Sequence, residues 1–105
     1  VKEDEADISK VNFDLKKFDS FAKGYLRHLG KVLTENEIKT LGISVFVLTF
    51  ELASRFLEDY LNGDTYFKVR YAEHNLVRAK NQIALAKDIL NKLGEINAVI
   101  EKYSK

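Results

Sequence analysis

The sequence has 105 residues, about the length of one domain, and it is 46% hydrophobic and 31% charged, which excludes an intrinsically disordered chain. Its 17 Lys and Arg nearly balance its 16 Asp and Glu, which argues against a nucleic-acid partner because nucleic-acid-binding proteins usually carry a basic face. Cysteine is absent and only two histidines occur, so thiolate metal sites, cysteine nucleophiles and histidine-rich metal sites are excluded. The absence of proline favours long, uninterrupted helices.

The N-terminal segment, residues 1–12, is polar and acidic, and we interpret it as an exposed, frayed lead-in to a helical unit spanning 13–105. It lacks the basic and then apolar pattern of a secretory signal. The longest apolar run, Leu41 to Phe50, is far shorter than the roughly 20 residues of a membrane span. We therefore expect a cytoplasmic protein with no membrane partner. Because the chain begins with Val1 rather than Met, we also expect a piece of a longer protein.

The first predicted helix runs from Asp14 to Leu29. Its apolar residues follow the i, i+3, i+4, i+7 spacing of an amphipathic helix, and its other face is charged, as expected for a solvated surface. Asn12 or Asp14 is placed to cap its start, and Gly30 suits its end.

The second predicted helix starts at a capping box, Thr34-Glu35-Asn36-Glu37. We expect it to bend or pause at Gly42 and to resume at Ser44. Residues 45–61 are apolar on nearly every side, which predicts a buried central helix. Asn62-Gly63 then ends this helix.

Residues 64–71 are predicted to form an extended or irregular loop, because no other strand exists for them to pair with. The last helical pattern begins at His74 or Asn75 and runs to Tyr103, with a bend expected at Gly94. Its apolar positions 76, 79, 83, 86, 90, 93 and 100 form a heptad seam, which packs either against the central helix or in a dimeric coiled coil. The predicted fold is thus all-α, with three to four helices.

Signatures of catalysis are missing from this sequence. The five glycines are scattered, so no loop can cradle phosphates, and no nucleophile elbow occurs. His28 and His74 are interpreted as surface or capping residues. We therefore assign no catalytic residue and no metal ligand in this chain.

A charged stripe crosses the otherwise apolar second helix, where Glu51, Arg55 and Asp59 recur every four residues. One interpretation is a Glu–Arg–Asp ladder of ion pairs that stabilises the helix against its neighbours. The other is that Arg55 points into a polar pocket beside the turn at Asn62-Gly63-Asp64, where its donors would meet the hydroxyls or carbonyl of a ligand.

The same region resembles a known enzyme family. The block Arg55-Phe-Leu-x-Asp-Tyr-Leu-x-Gly-Asp-x-Tyr66-Phe-Lys68, followed by His74-Asn75-Leu76-x-Arg78, is similar to the C-terminal region of aminoglycoside-phosphotransferase-like small-molecule kinases. The nearest subgroup is the N-acetylhexosamine 1-kinases and related predicted phosphotransferases, some of them labelled mucin desulfatase. The opening Glu3-Asp4-Glu5-x-Asp7-x-Ser9-Lys10-Val11 resembles the segment that follows the catalytic core of that family.

This resemblance implies a parent enzyme with a two-lobed, protein-kinase-like fold that transfers the γ-phosphate of ATP, with Mg²⁺, to a sugar or amino sugar. The chain would be its helical C-terminal subdomain, and its partner would be the missing N-terminal catalytic portion. Arg55 and Tyr66 would contact the substrate, and Asp64 is a weaker candidate. The family's His-Gly-Asp loop, metal-binding Asp motif and nucleotide lobe are absent from this sequence, so we expect no kinase activity from the chain alone.

A second hypothesis comes from the heptad seam. The chain would then be a stand-alone helical interaction domain that self-associates through residues 76–100. This hypothesis accounts for the heptads but gives no role to Arg55 and Tyr66.

Overall fold

The computed structural model describes residues 4–104, and every structural statement below refers to that range. These residues form four α-helices and one short 3-10 helix, and they contain no strand, which confirms the predicted all-α class. The 3-10 helix is Ile8–Lys10, and the α-helices are α1 (Leu15–Leu29), α2 (Glu35–Leu61), α3 (His74–Asn91) and α4 (Leu93–Tyr103).

The predicted helix starts are confirmed by their capping hydrogen bonds. The Asp14 carboxylate accepts the backbone N–H groups of Lys16 and Lys17 at the start of α1. At the start of α2, Thr34 Oγ1 accepts the Glu37 N–H, and the Glu37 carboxylate accepts the Thr34 N–H. Each cap satisfies donors that the first helical turn leaves without a partner.

The predicted bend at Gly42 is wrong, because α2 continues through this position without interruption. Gly42 is buried where α4 crosses α2. A Cβ at this position would overlap Oδ1 of Asn97 and would lie 3.3 Å from Cδ1 of Leu93. The glycine therefore permits close approach of α4 and does not break the helix.

Helices α2 and α3 form an antiparallel hairpin, since the end of α2 contacts the start of α3 at Asp59 and Asn75. Helix α4 folds back to pack against α1 and α2. The apolar core lies where α1, α3 and α4 converge, and its buried residues are Ala22, Leu26, Ile89, Ile96 and Ile100. The opposite end of the hairpin carries the polar residues described below.

The central helix is buried along one face only. Ala53 and Phe56 lie inside, whereas Val47, Phe50 and Leu61 on the other side are exposed. By length and composition α2 could cross a membrane, a test that the core helix of a soluble protein and a signal sequence also pass. The apolar run noted in the sequence covers only part of this helix.

The last helical pattern divides at Lys92, two residues before the predicted bend at Gly94. Within α3, Ala79 and Ala86 of the predicted heptad seam are buried, and α3 packs mainly against α2. Leu90 is exposed, and its neighbour Ile89 enters the core instead. The first half of the seam is therefore an intramolecular contact, as the first of the two interpretations predicted.

Candidate functional site

The turn after α2 is a Schellman motif, which explains why the helix ends at the predicted Asn62-Gly63. The Asp64 N–H donates to the Asp59 carbonyl at 2.8 Å, and the Gly63 N–H donates to the Tyr60 carbonyl at 3.3 Å. Gly63 has φ = 89°, and Asp64 also adopts a left-handed conformation with φ = 61°. Glycine reaches that conformation without strain, so the chain turns sharply towards the loop of residues 62–73.

The carboxylate of Asp59 organises this loop. Its Oδ1 accepts the Tyr66 N–H at 2.7 Å, and its Oδ2 accepts the Phe67 N–H at 2.9 Å and the Asn75 side-chain amide at 2.7 Å. Burial raises the pKa of Asp59, but the Phe67, Tyr66 and Asn75 hydrogen bonds outweigh it and hold the pKa below its ordinary value. The side chain is therefore a buried anion with its acceptor sites satisfied.

Asn75 and Arg78 extend the same network along α3. Asn75 Nδ2 also donates to Asp64 Oδ1 at 3.1 Å, and its Oδ1 accepts from Arg78 Nη1 at 3.1 Å. Arg78 Nη1 donates to the Lys68 carbonyl at 2.9 Å, and its guanidinium lies 5.5 Å from the ring centre of Phe56. We call Asp59, Asn75 and Arg78 the Asp59 network. It holds the start and the middle of the loop against the end of the hairpin.

Beside the Asp59 network lies an open cleft of about 360 Å³. We call it the Arg55–Tyr66 cleft. Tyr66 is 80% exposed, and its ring packs edge-on against Phe67 with 4.9 Å between ring centres. Arg55 is exposed, and its Nη2 donates to Glu51 Oε1 at 3.0 Å. The cleft is lined by Arg55, Glu58, Asp59, Asn62, Thr65, Tyr66 and Phe67.

The structure brings two of the three predicted site residues together. Arg55 and Tyr66 line one cleft, although the sequence placed them eleven positions apart and on different elements. Asp64 does not line it. Its carboxylate accepts from Asn75 and its backbone forms the turn.

The structure agrees with one part of each interpretation of the charged stripe on α2. The Glu51–Arg55 ion pair forms, but Asp59 bonds to the loop and to Asn75, so the predicted three-residue ladder is wrong. Arg55 is not buried, and it lies at a polar cleft beside the turn, as the second interpretation expected. Asp59 is not part of a ladder because its carboxylate accepts the N–H groups of Tyr66 and Phe67 and the Asn75 amide.

The interpretation of His74 as a surface or capping residue is wrong. His74 is only 2% exposed. Its Nδ1 accepts the Arg70 N–H at 3.2 Å, and its Nε2 lies 2.6 Å from Asp4 Oδ1. Its carboxylate partner lies 70 positions away in the chain, so no local pattern could have indicated this contact.

The N-terminal segment is likewise anchored and not frayed over the part that the structure describes. Asp4 contacts α3, the side chain of Asn81 donates to the Glu5 carbonyl at 3.0 Å, and Val11 is buried. Most other residues of the segment are exposed, as predicted. Residues 1–3 of the predicted lead-in lie outside the described residues.

Several residues of this site had no role that the sequence pattern indicated. Asn75 and Arg78 belonged to the quoted motif, yet only the folded chain shows that they hold the loop. Glu58, Asn62 and Thr65 in the cleft carried no signal beyond their proximity to the turn. Within residues 4–104, no group of three His, Cys, Asp or Glu side chains could hold a metal ion. No protein-family model matches the chain.

Proposed function

We propose that this chain is the substrate-binding, C-terminal helical part of an ATP-dependent phosphotransferase that acts on a sugar or amino sugar. The observation that carries the proposal is the Arg55–Tyr66 cleft. The Asp59 network accounts structurally for Asp59, Asn75 and Arg78. The Tyr66 ring, in contrast, is exposed and packs only edge-on against Phe67 among the rings of the described residues.

The chemistry of the cleft suits a carbohydrate. A guanidinium has five N–H donors, and Arg55 directs one of them to Glu51 among the described residues. Sugar hydroxyls and an acetamido carbonyl accept such donors, and carboxylates such as Glu58 accept from hydroxyls. The Tyr66 ring offers an apolar face for a sugar ring and a hydroxyl for a hydrogen bond. The volume of about 360 Å³ lies at the lower end of the range of small-molecule sites.

The remaining machinery would come from the N-terminal catalytic portion of the parent. ATP and Mg²⁺ would bind there, because the sequence of this chain has no phosphate-binding loop and no catalytic His-Gly-Asp loop. The exposed apolar side of α2, with Val47, Phe50 and Leu61, is the kind of surface that a missing neighbour would cover. The whole enzyme would be cytoplasmic, and this chain alone would not hydrolyse ATP.

Binding can be tested on the chain itself. N-acetylglucosamine is titrated into the ¹⁵N-labelled protein, and the amide signals of residues 55–67 should shift. Arg55→Ala should weaken binding about ten- to a hundredfold, since a hydrogen bond to a charged group contributes ~1.5–3 kcal/mol. Arg27→Ala is the matched control, because Arg27 is exposed on α1, far from the cleft in sequence. Equal affinities for the two variants would refute the role of Arg55.

The parent enzyme is tested separately by the intact mass of the product of the native gene. A product several-fold larger than 12.1 kDa, with a His-Gly-Asp loop in the added part, would support the proposal. In that enzyme Arg55→Ala should lower kcat/KM for the sugar by about ten- to a hundredfold. A native product of 12.1 kDa alone would refute the parent kinase.

The second candidate function is a stand-alone interaction domain that self-associates. The observation in its favour is again the exposed apolar side of α2. The predicted seam of 76–100 is less available, because Ala79 and Ala86 already pack inside the chain. Sedimentation equilibrium of wild type and Phe50→Asp tests this candidate. A dimer that Phe50→Asp dissociates would favour it, and a wild-type monomer would refute it.

A further inference from the structure

We infer that Asp4 is a positioning residue for the Arg55–Tyr66 cleft, because it holds the loop that carries Tyr66 through His74 and Arg78. The contact joins the N-terminal segment to the start of α3. Asp4 Oδ1 lies 2.6 Å from His74 Nε2 and accepts from Arg78 Nε at 3.3 Å. Both partners are largely buried, with side chains 3% and 12% exposed, whereas Asp4 itself is half exposed.

Each partner of Asp4 also forms a hydrogen bond with the backbone of the loop. His74 Nδ1 accepts the Arg70 N–H at 3.2 Å, and Arg78 Nη1 donates to the Lys68 carbonyl at 2.9 Å. Asp59 holds the preceding residues, Tyr66 and Phe67, by their N–H groups. Residues 66–67 of the loop are thus bound to α2, and residues 68–70 are bound to α3. Asp4 stabilises the attachment to α3.

The ring nitrogens of His74 make this contact specific. Because Nδ1 accepts from the Arg70 N–H, the neutral ring carries its proton on Nε2 and donates it to Asp4. A carboxylate can only accept, so Asp4 stabilises the tautomer that leaves Nδ1 free for Arg70. The His74 hydrogen bond, opposed by desolvation and aided by Arg78, holds the pKa of Asp4 below its ordinary value, so Asp4 is charged at neutral pH.

The segment that carries Asp4 is itself attached to α3. Asn81 Nδ2 donates to the Glu5 carbonyl at 3.0 Å, and Val11 is buried at the end of the 3-10 helix. Among residues 4–104, the Asp7 side chain in contrast bonds only within the segment, where it accepts from the N–H and the hydroxyl of Ser9. Asp4 and Asp7 therefore carry the same charge in the same segment, but Asp4 alone of the two contacts His74 and Arg78.

The test compares Asp4→Ala with Asp7→Ala by hydrogen exchange of individual amides, measured by NMR. The Arg70 amide should exchange about tenfold faster in Asp4→Ala, since a charge-assisted bond supports its acceptor. Core amides of α1 and α4 should keep their wild-type rates, and Asp7→Ala should leave Arg70 unchanged. Unchanged exchange at Arg70 in Asp4→Ala, or equal acceleration of all helices, would overturn the inference.

Two further measurements keep the test decisive. The ¹⁵N signals of the His74 ring should show an unprotonated Nδ1 in wild type and a changed tautomer balance in Asp4→Ala, which a purely structural loss would not produce. If Asp4→Ala does not fold, Asp4→Asn retains the size and an acceptor oxygen, and it should accelerate Arg70 exchange by a smaller factor. No acceleration in a folded Asp4→Asn would also overturn the inference.

A prediction for ligand binding also follows, and it rests on the proposed function. Exchange rates and sugar affinity measured together distinguish a failure of the positioning role from a failure of the proposed function. If the wild-type protein binds N-acetylglucosamine, the Asp4→Ala variant should bind it several-fold more weakly than wild type does, although Asp4 is not among the residues that line the cleft. Faster Arg70 exchange with unchanged sugar affinity would refute the positioning role. Faster exchange in a protein whose wild type binds no sugar would support the attachment of the loop and refute the proposed function.

Discussion

Replacing Asn75 by alanine tests the packing of the loop most directly. Asn75 is fully buried, and among the described residues its side chain donates to Asp59 and Asp64 and accepts from Arg78. Each partner is charged, and such a bond contributes ~1.5–3 kcal/mol. Asp59 keeps the N–H donors of Tyr66 and Phe67, and Arg78 keeps the Lys68 carbonyl, so the loss of free energy is smaller than the sum of the separate contributions. We expect Asn75→Ala to reduce the free energy of unfolding by about 3 kcal/mol.

That loss is a large share of the total stability, which is about 5–15 kcal/mol for a typical domain. The melting temperature should fall by roughly 12–24 °C, at about 4–8 °C per kcal/mol for a domain near this size. Urea unfolding followed by circular dichroism measures the free energy, and amide exchange shows whether Tyr66 and Phe67 lose protection first. Asn91→Ala is the control, because Asn91 is exposed at the end of the same helix.

The reasoning would be refuted by an Asn75→Ala variant that loses less than about 1 kcal/mol, the typical net contribution of one hydrogen bond, with unchanged protection at residues 66–67. That result would mean that Asp59 holds the loop without help from α3. An equal loss in Asn91→Ala would show instead that the effect is not specific to the buried network, because a change from Asn to Ala by itself raises helix propensity and should not destabilise the helix.

Two further predictions concern the opposite end of the molecule. Ile96 is fully buried in the core, so Ile96→Ala should lower the free energy of unfolding by about 2–5 kcal/mol through lost burial and the resulting cavity; a loss below about 1 kcal/mol in urea unfolding would contradict the assigned core. Burial raises the pKa of Asp88, but hydrogen bonds from Lys92 and from the Phe13 N–H outweigh it and lower the pKa below 3.8. Asp88 therefore stabilises the fold above its unfolded pKa, and this contribution is lost as the pH falls through the lower folded value. Asp88→Asn should be less stable than wild type at pH 7, and the difference should shrink towards pH 2; a constant difference would contradict the assignment.

The local elements of the fold were predictable because their signals lie within a few residues. The Thr34–Glu37 capping box, the Asp14 cap and the turn at Asn62-Gly63 depend on hydrogen bonds between near neighbours. The irregular loop followed from the lack of any strand to pair with it. Gly42 misled the prediction because helix propensity disfavours glycine, whereas the structure uses it for the close approach of α4.

The candidate site was only partly predictable. Arg55 and Tyr66 were both selected from the sequence, but the cleft that they share is lined by residues of α2 and of the following loop, so only the folded chain shows it. One of the two interpretations of the sequence paired Asp59 with Arg55, because both lie on one stripe of the helix. Its real partners are backbone N–H groups seven and eight residues ahead, together with Asn75 on the next helix.

The amino-acid sequence by itself determined the helical class, the capped helix starts and the position of the turn, because these follow from short-range hydrogen bonding and hydrophobic periodicity. Only the tertiary structure decided which face of α2 is buried, that His74 is an interior residue, and that Asp4 contacts His74 and Arg78 on α3. These features depend on contacts between residues up to 74 positions apart. Such contacts are set by how helices pack, and no pattern along one segment encodes them.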